Sequence, residues 1–194
     1  MHTPQSGVRV MKRVRSLARS RLATRLLRFT PLRHAWRIEL DGAVDATGTI
    51  WLPGPGRVRV GRRVRLCGES APIELRAHPG GEIHIDDDAV IEGGVSIEAT
   101  ESVYIGPRAH IGAFCKIIDN HFHRVDGDRE AWSESVRVVV GPDAVVGPHA
   151  ILLPGAELGA RAWVGAGRVL SSRILAGREL VEGLLECPVL KENA

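Results

Sequence analysis

The stretch VVVGPDAVVGPHAILLPGAELGARAWVGAGRVL, Val138–Leu170, decides the fold. An aliphatic residue returns at every sixth position: Val140, Val146, Leu152, Leu158, Val164 and Leu170. Gly141, Gly147, Gly159 and Gly165 follow four of these directly, and Ala144, Ala150, Ala156 and Ala162 stand four residues after an aliphatic. A helix with 3.6 residues per turn would smear such a set around its whole circumference. A triangular β-solenoid keeps it in one place: each six-residue unit is a short strand plus a corner, and three units close a coil of about 18 residues. The aliphatic then points inward and stacks on its equivalent in the next coil, roughly 4.8 Å away. The glycine is expected to supply the backbone angles of the corner, and the alanine to fit where Cβ atoms of successive coils crowd.

Working outward, the same phase holds at Ile85, Ile91 and Ile97 and at Ile105, Ile111 and Ile117, with a two-residue insertion around Glu101–Ser102 between the sets. Val60–Gly61 and Leu66 continue it upstream, with Ile50, Val58 and Val64 as weaker members. The periodicity predicts a solenoid from about Thr49 to Leu170, interrupted by one segment without hexad phase, Ile118–Arg137.

Composition agrees. Of 194 residues 22 are glycine and only 4% are aromatic, which suits a thin prism better than a core of bulky rings. With 44% hydrophobic and 25% charged residues the chain is not of the disordered class. No apolar run approaches the roughly 20 residues of a membrane-spanning helix. Cys67, Cys115 and Cys187 are odd in number and lack metal-type spacing, and nothing before them reads as a signal peptide, which points to a reducing cytoplasm. The net charge of +3 conceals a polarity. Residues 1–37 hold ten of the 26 basic residues and no acid, so the remainder carries 16 basic against 23 acidic residues.

Within that basic arm, residues 8–30 place Val10, Val14, Leu17, Ala18, Leu22, Leu26 and Phe29 at helical spacing among arginines, and Pro31 stops the pattern. The expectation is an N-terminal amphipathic helix. It either caps the solenoid or its oligomer mates, or lies on an anionic membrane surface as a peripheral contact. Nucleic acid is the least favoured partner, since the arm has no aromatic stacking set beyond Phe29 and Trp36. The domain reading is thus an arm at 1–37, a β-helix at 38–175 with a functional loop at 118–137, and a tail at 176–194.

The run Val138–Leu170 resembles the C-terminal half of the hexapeptide-repeat acyltransferases, sugar O-acetyltransferases in particular. The resemblance covers about 120 residues. It implies a left-handed parallel β-helix, a homotrimer, and acetyl-CoA as acyl donor in a cleft between subunits. This chain has Val145 where the family's WIG element has Trp and Arg168 where GAGSVV has Ser, and GLLECPVLK (183–191) stands in place of GxPAK. Pro148, Gly165 and Ala166 match positions along the pantetheine arm, and Arg168 and Ser171 lie where the nucleotide phosphates would pass. Glu92 matches a position that contacts the acceptor sugar.

The irregular segment reads IDNHFHRVDGDREAWSESVR. Its Phe122–His123 pair resembles the Phe–His of a DxDFHP-like string in the sugar enzymes, and HRVDG resembles the NHRMDG-like string of antibiotic-acetylating relatives. Both select His123 as general base, with His121 as the alternative. The chemistry requires such a group, because a sugar hydroxyl is too weak an acid to ionise at neutral pH and an imidazole can take its proton. Asp119 and Asp126 are candidates to orient the ring, and Asn120, Arg124 and Asp126 to contact the saccharide acceptor. No metal is expected. Asp86, Asp87 and Asp88 are consecutive and cannot converge on one ion, and the HxxxxH pair of the zinc carbonic anhydrases that share this fold does not occur. The leading expectation is an acyl-CoA-dependent O-acetyltransferase of a saccharide, as in polysaccharide biosynthesis. N-acetylation of an amino sugar or antibiotic and a catalytically silent scaffold are its rivals.

Overall fold

A computed structural model of the chain describes residues 37–122 and 134–180. The basic arm before Arg37, the C-terminal tail from Val181 and loop residues 123–133, including His123, Arg124 and Asp126, lie outside the described residues. Among the described residues, short parallel strands wind around a prism with three faces. The first face stacks β1 (Ile38–Leu40), β3 (Arg57–Val60), β5 (Glu82–Ile85), β8 (Ser102–Ile105), β11 (Val138–Val140), β14 (Glu157–Leu158) and β17 (Arg173–Ile174) in that order. The second stacks β6 (Val90–Ile91), β9 (His110–Ile111), β12 (Val145–Val146), β15 (Trp163–Val164) and β18 (Glu179–Leu180). The third stacks β7 (Ser96–Ala99), β10 (Lys116–Ile118), β13 (Ile151–Leu152) and β16 (Val169–Leu170). Two longer strands of the upper coils, β2 (Asp45–Trp51) and β4 (Arg65–Ala77), run along both of the latter faces. The first part of β4 pairs with β6 and its last part with β7.

The register reproduces the hexad phase. Val60, Ile85, Ile105, Val140 and Leu158 form one inward column, Leu66, Ile91, Ile111, Val146 and Val164 a second, and Leu75, Ile97, Ile117, Leu152 and Leu170 a third. All are buried, as are Ala144, Ala150, Ala156 and Ala162. The coils extend further than the strict hexads: Ile38 and Val44 are already buried in the first coil, and β18 still pairs with β15 in the last. The insertion near Glu101 lengthens the strands on either side, and the added Ala99 turns inward and is buried.

The glycine after each aliphatic has a different cause from the one its position suggests. The residues with positive φ stand two positions later and are mostly not glycine: Arg63, Asp88, Arg108, Asp143 and Arg161 on the edge between the first and second faces, Phe114 and His149 on the edge between the second and third. The glycine itself is needed for the approach of coils. A Cβ on Gly147 would lie 2.6 Å from the backbone nitrogen of Ala166. Gly-Pro corners have an equally local reason. The N–H of the residue after the glycine points away from the strand ladder; Pro107, Pro142 and Pro148 have none to satisfy, whereas Arg62 gives its N–H to Asp87 Oδ1 (2.7 Å) and Ala113 to Glu92 Oε2 (2.9 Å).

Candidate functional site

Three edges separate the three faces, and the candidate residues fall unequally on them. The first edge, between the first and second faces, is a ladder of paired charges. Arg62 Nε holds Asp87 at 2.9 Å, Arg63 Nε holds Asp88 at 2.6 Å, and Arg108 holds Asp143 at 2.6 and 2.7 Å. The hydrogen bonds from Arg62 keep Asp87 below the usual carboxylate range, and Arg63 does the same for Asp88. Asp86 accepts from Tyr104 Oη at 2.9 Å; burial and then this bond push the phenol up to about 12. The Asp86–Asp88 run is thus divided among one phenol and two guanidiniums and converges on no common point.

The third edge, between the third and first faces, is where the irregular segment leaves the prism, and its root is built of buried polar groups. Asp119 and Asn120 are almost wholly buried. Asp119 accepts from Thr100 N (2.8 Å), Thr100 Oγ1 (2.9 Å) and Glu101 N (2.7 Å) in the coil above. Asn120 Nδ2 donates to Ser135 Oγ at 2.9 Å, and its Oδ1 accepts from Phe122 N. Ser135 Oγ lies 2.7 Å from Thr100 Oγ1, and Val136 N donates to Asp119 O at 2.8 Å. Departing and returning strands are therefore clamped together. The Asp119 carboxylate faces the 100–101 turn rather than the loop; Asp126, the other candidate to orient an imidazole, lies outside the described residues. His121 is exposed at the start of the loop. Phe122 packs on His78 (ring centroids 5.5 Å apart), whose Nε2 is 2.8 Å from Glu98 Oε1. This places the chain just ahead of His123 against an imidazole–carboxylate pair on the third edge.

The second edge, between the second and third faces, gathers the remaining candidates. Pro148, Gly165, Ala166 and Arg168 come together in its lower coils, where Gly167 N donates to Pro148 O at 2.8 Å. Pro148 and Ala166 are exposed. Arg168 occupies the register of the small inward residues Ala150 and Cys115, one position before β16, and its O accepts from Ile151 N at 2.8 Å. Ser171 begins the third edge and is separated from the others by the width of a face. Above this group the rings of Phe114 and His149 stack, 5.2 Å apart and 8° from parallel. Higher still, Glu92 lies in an open depression of about 360 Å³ with Arg65, Cys67, Ser70 and His110. Glu92 Oε1 meets His110 Nε2 at 2.7 Å while Oε2 accepts the Ala113 N–H. Glu92 and Asn120, both read as acceptor contacts, thus stand on different edges. Cys115 is buried beneath the second edge, and burial pushes its thiol up to about 11.

Three solved structures have a similar course. A single-site variant of AntD, an N-acyltransferase from Bacillus cereus in complex with dTDP and coenzyme A, matches with a TM-score of 0.56 at 14% identity over 75% of this chain and 82% of that one. The chain has the left-handed parallel β-helix of the hexapeptide-repeat acyltransferases. Two further β-helices match with lower scores. The product of the Bacillus cereus BC4754 gene, an acetyltransferase by assignment, has a TM-score of 0.48 at 16% identity over 73% of this chain and 76% of that one. The polySia-specific acetyltransferase NeuO has a TM-score of 0.41 at 14% identity over 72% and 80%. No protein-family model and no curated protein matches the chain. Within this β-helix the pairs Glu92–His110 and His78–Glu98 escape a reading of the sequence by motif. The signal for both was one of spacing, since partners 18 and 20 residues apart stand on neighbouring coils.

Proposed function

We propose that the protein transfers an acyl group, acetyl in the first instance, from coenzyme A to a hydroxyl of a saccharide. The rooted excursion at 119–136 carries this reading. A regular solenoid has no structural need for a polar loop, and this one is clamped at its base by two buried polar residues. His123 follows Phe122 on that loop and is the proposed base. A neutral imidazole there takes the proton of the attacking hydroxyl while the oxygen adds directly to the thioester carbonyl. Backbone N–H groups of the solenoid are suited to the oxyanion. The cofactor candidates Pro148, Gly165 and Ala166 stand on the second edge and the loop on the third. In a homotrimer the third edge of one copy meets the second edge of the next, which completes the site. The N-terminal segment 8–30 is proposed to bring the trimer to the cytoplasmic face of a membrane, near lipid-linked saccharides; equal liposome co-sedimentation of the full chain and a deletion of residues 1–37 would refute this.

A second reading is N-acylation of an amino sugar, supported by the N-acyltransferase activity of AntD. A thiol-release assay with acetyl-CoA across neutral sugars, amino sugars and nucleotide sugars tests both. Release with hydroxyl acceptors is expected, and release with amines alone would favour the second. The departures at Val145, Arg168 and GLLECPVLK (183–191) define the opposing outcome. If calorimetry detects no acetyl-CoA binding at millimolar ligand, the chain is a silent scaffold.

A further inference from the structure

Resting on that reading, we infer that His110 docks the acyl acceptor through its Nδ1 atom. Glu92 extends from the end of β6, and its carboxylate is used twice: Oε2 accepts the Ala113 N–H at 2.9 Å and Oε1 meets His110 Nε2 at 2.7 Å. The first bond satisfies a corner N–H that its counterpart in the next coil, Pro148, does not possess. It therefore fixes the carboxylate, and the fixed carboxylate fixes the ring. A carboxylate accepts only, so the neutral imidazole bonded to it carries its hydrogen on Nε2 and leaves a bare lone pair on Nδ1. The ring lines the depression together with Arg65, Cys67 and Ser70, and 43% of its side chain is exposed. The result is a positioned hydrogen-bond acceptor in a shallow, polar, open site. That is the complement of a ligand rich in hydroxyl groups, and it sits on the edge that also carries the cofactor candidates.

A merely structural His110 would contribute to folding and leave substrate affinity alone, so the test separates the two nitrogens. His110→Asn retains an acceptor oxygen close to the place of Nδ1, whereas His110→Gln reaches toward Glu92 and lacks one there. His110→Leu keeps bulk without either. In the thiol-release assay with the full-length protein and its best saccharide acceptor, His110→Leu and His110→Gln are expected to raise the acceptor KM by about fivefold to tenfold, the worth of one neutral hydrogen bond. The KM for acetyl-CoA should stay unchanged, and His110→Asn should recover most of the loss. Folded His110→Leu protein with the wild-type acceptor KM overturns the inference and leaves the transfer reading intact. So does a result in which Gln rescues and Asn does not. Absence of thiol release from the wild type with every acceptor removes the transfer reading itself, and this assignment with it.

Discussion

Along the first edge Arg63, Asp88, Arg108, Asp143 and Arg161 alternate in sign, whereas the same positive-φ positions of the second edge hold Gly94, Phe114, His149 and Gly167. The backbone is the same on both: in each coil the N–H of this residue donates to a carbonyl of the coil before, as Asp143 does to Pro107 and His149 to Ala113. What differs is where the side chains find partners. On the first edge Arg63 pairs with Asp88 and Arg108 with Asp143. On the second, the stacked rings, the exposed Pro148 and Ala166, and the partly exposed side chain of His110 face outward. Stacking geometry fixes the corners of a β-helix and leaves their side chains free. Function is then expected on the edge whose groups are not used up by one another, together with the loop that reaches it.

The largest effect that would break this contrast belongs to the loop. His123→Ala should reduce turnover by at least about 100-fold in the thiol-release assay, the usual contribution of a general base, with an unchanged melting temperature. Near-full activity would transfer the role to His121. The root of the same loop should behave oppositely. Asp119→Ala strips the Thr100 and Glu101 N–H groups of their buried acceptor, and each such loss costs about 1–3 kcal/mol. Denaturant unfolding should show a fall of about 3 kcal/mol. A variant that keeps its stability and loses only turnover would make Asp119 part of the chemistry.

The prism was legible because burial imposes a period that the chain cannot hide. Every aliphatic from Ile85 to Leu170 named by the hexads is inward, and the alanines are where crowding excludes bulk. The breaks in the period were legible for the same reason, and so was the exit of the loop. What could not be read was the partner of an outward side chain, since nothing in the hexad constrains it. The succession Asp86–Asp88 speaks against a common ion, but that Arg62, Arg63 and Tyr104 on neighbouring coils hold these carboxylates is visible only in the structure. Asp119 looks like an orienting carboxylate until its turn toward Thr100 is seen. The hexad turns His110 outward, since it directly precedes the inward Ile111, but Glu92 as its orienting partner required the register Val90–His110.

Two smaller effects sharpen the comparison through pH. Cys115, beneath the second edge, has its thiol raised by burial from 9.0 to about 11. A raised acid stabilises the fold fully below its unfolded value and loses that contribution as pH climbs through the folded one. The wild-type melting temperature should therefore fall faster between about pH 9 and 11 than that of Cys115→Ala, whose side chain copies Ala150 in the next coil. Parallel curves would mean that the thiol is reached by water.

On the first edge the sign is reversed. Asp87 is held below the ordinary value of a carboxylate, through the side-chain hydrogen bond of Arg62 and then the backbone N–H of the same residue. Its contribution is present above that value and is lost as pH falls through the folded one. Arg62 is exposed, with 61% of its side chain accessible, so solvent screens the pair and the effect is the smallest of the set. Asp87→Asn should lower the melting temperature by about a degree at pH 7, and the gap should close as pH falls below the ordinary carboxylate range and the wild-type carboxylate takes up its proton. Added salt should narrow the gap at neutral pH, because an exposed pair is screened within a Debye length of about 10 Å at 0.1 M. If turnover fell instead while stability held, the charge ladder would be a binding surface, and the assignment of work between the two edges would have to be exchanged.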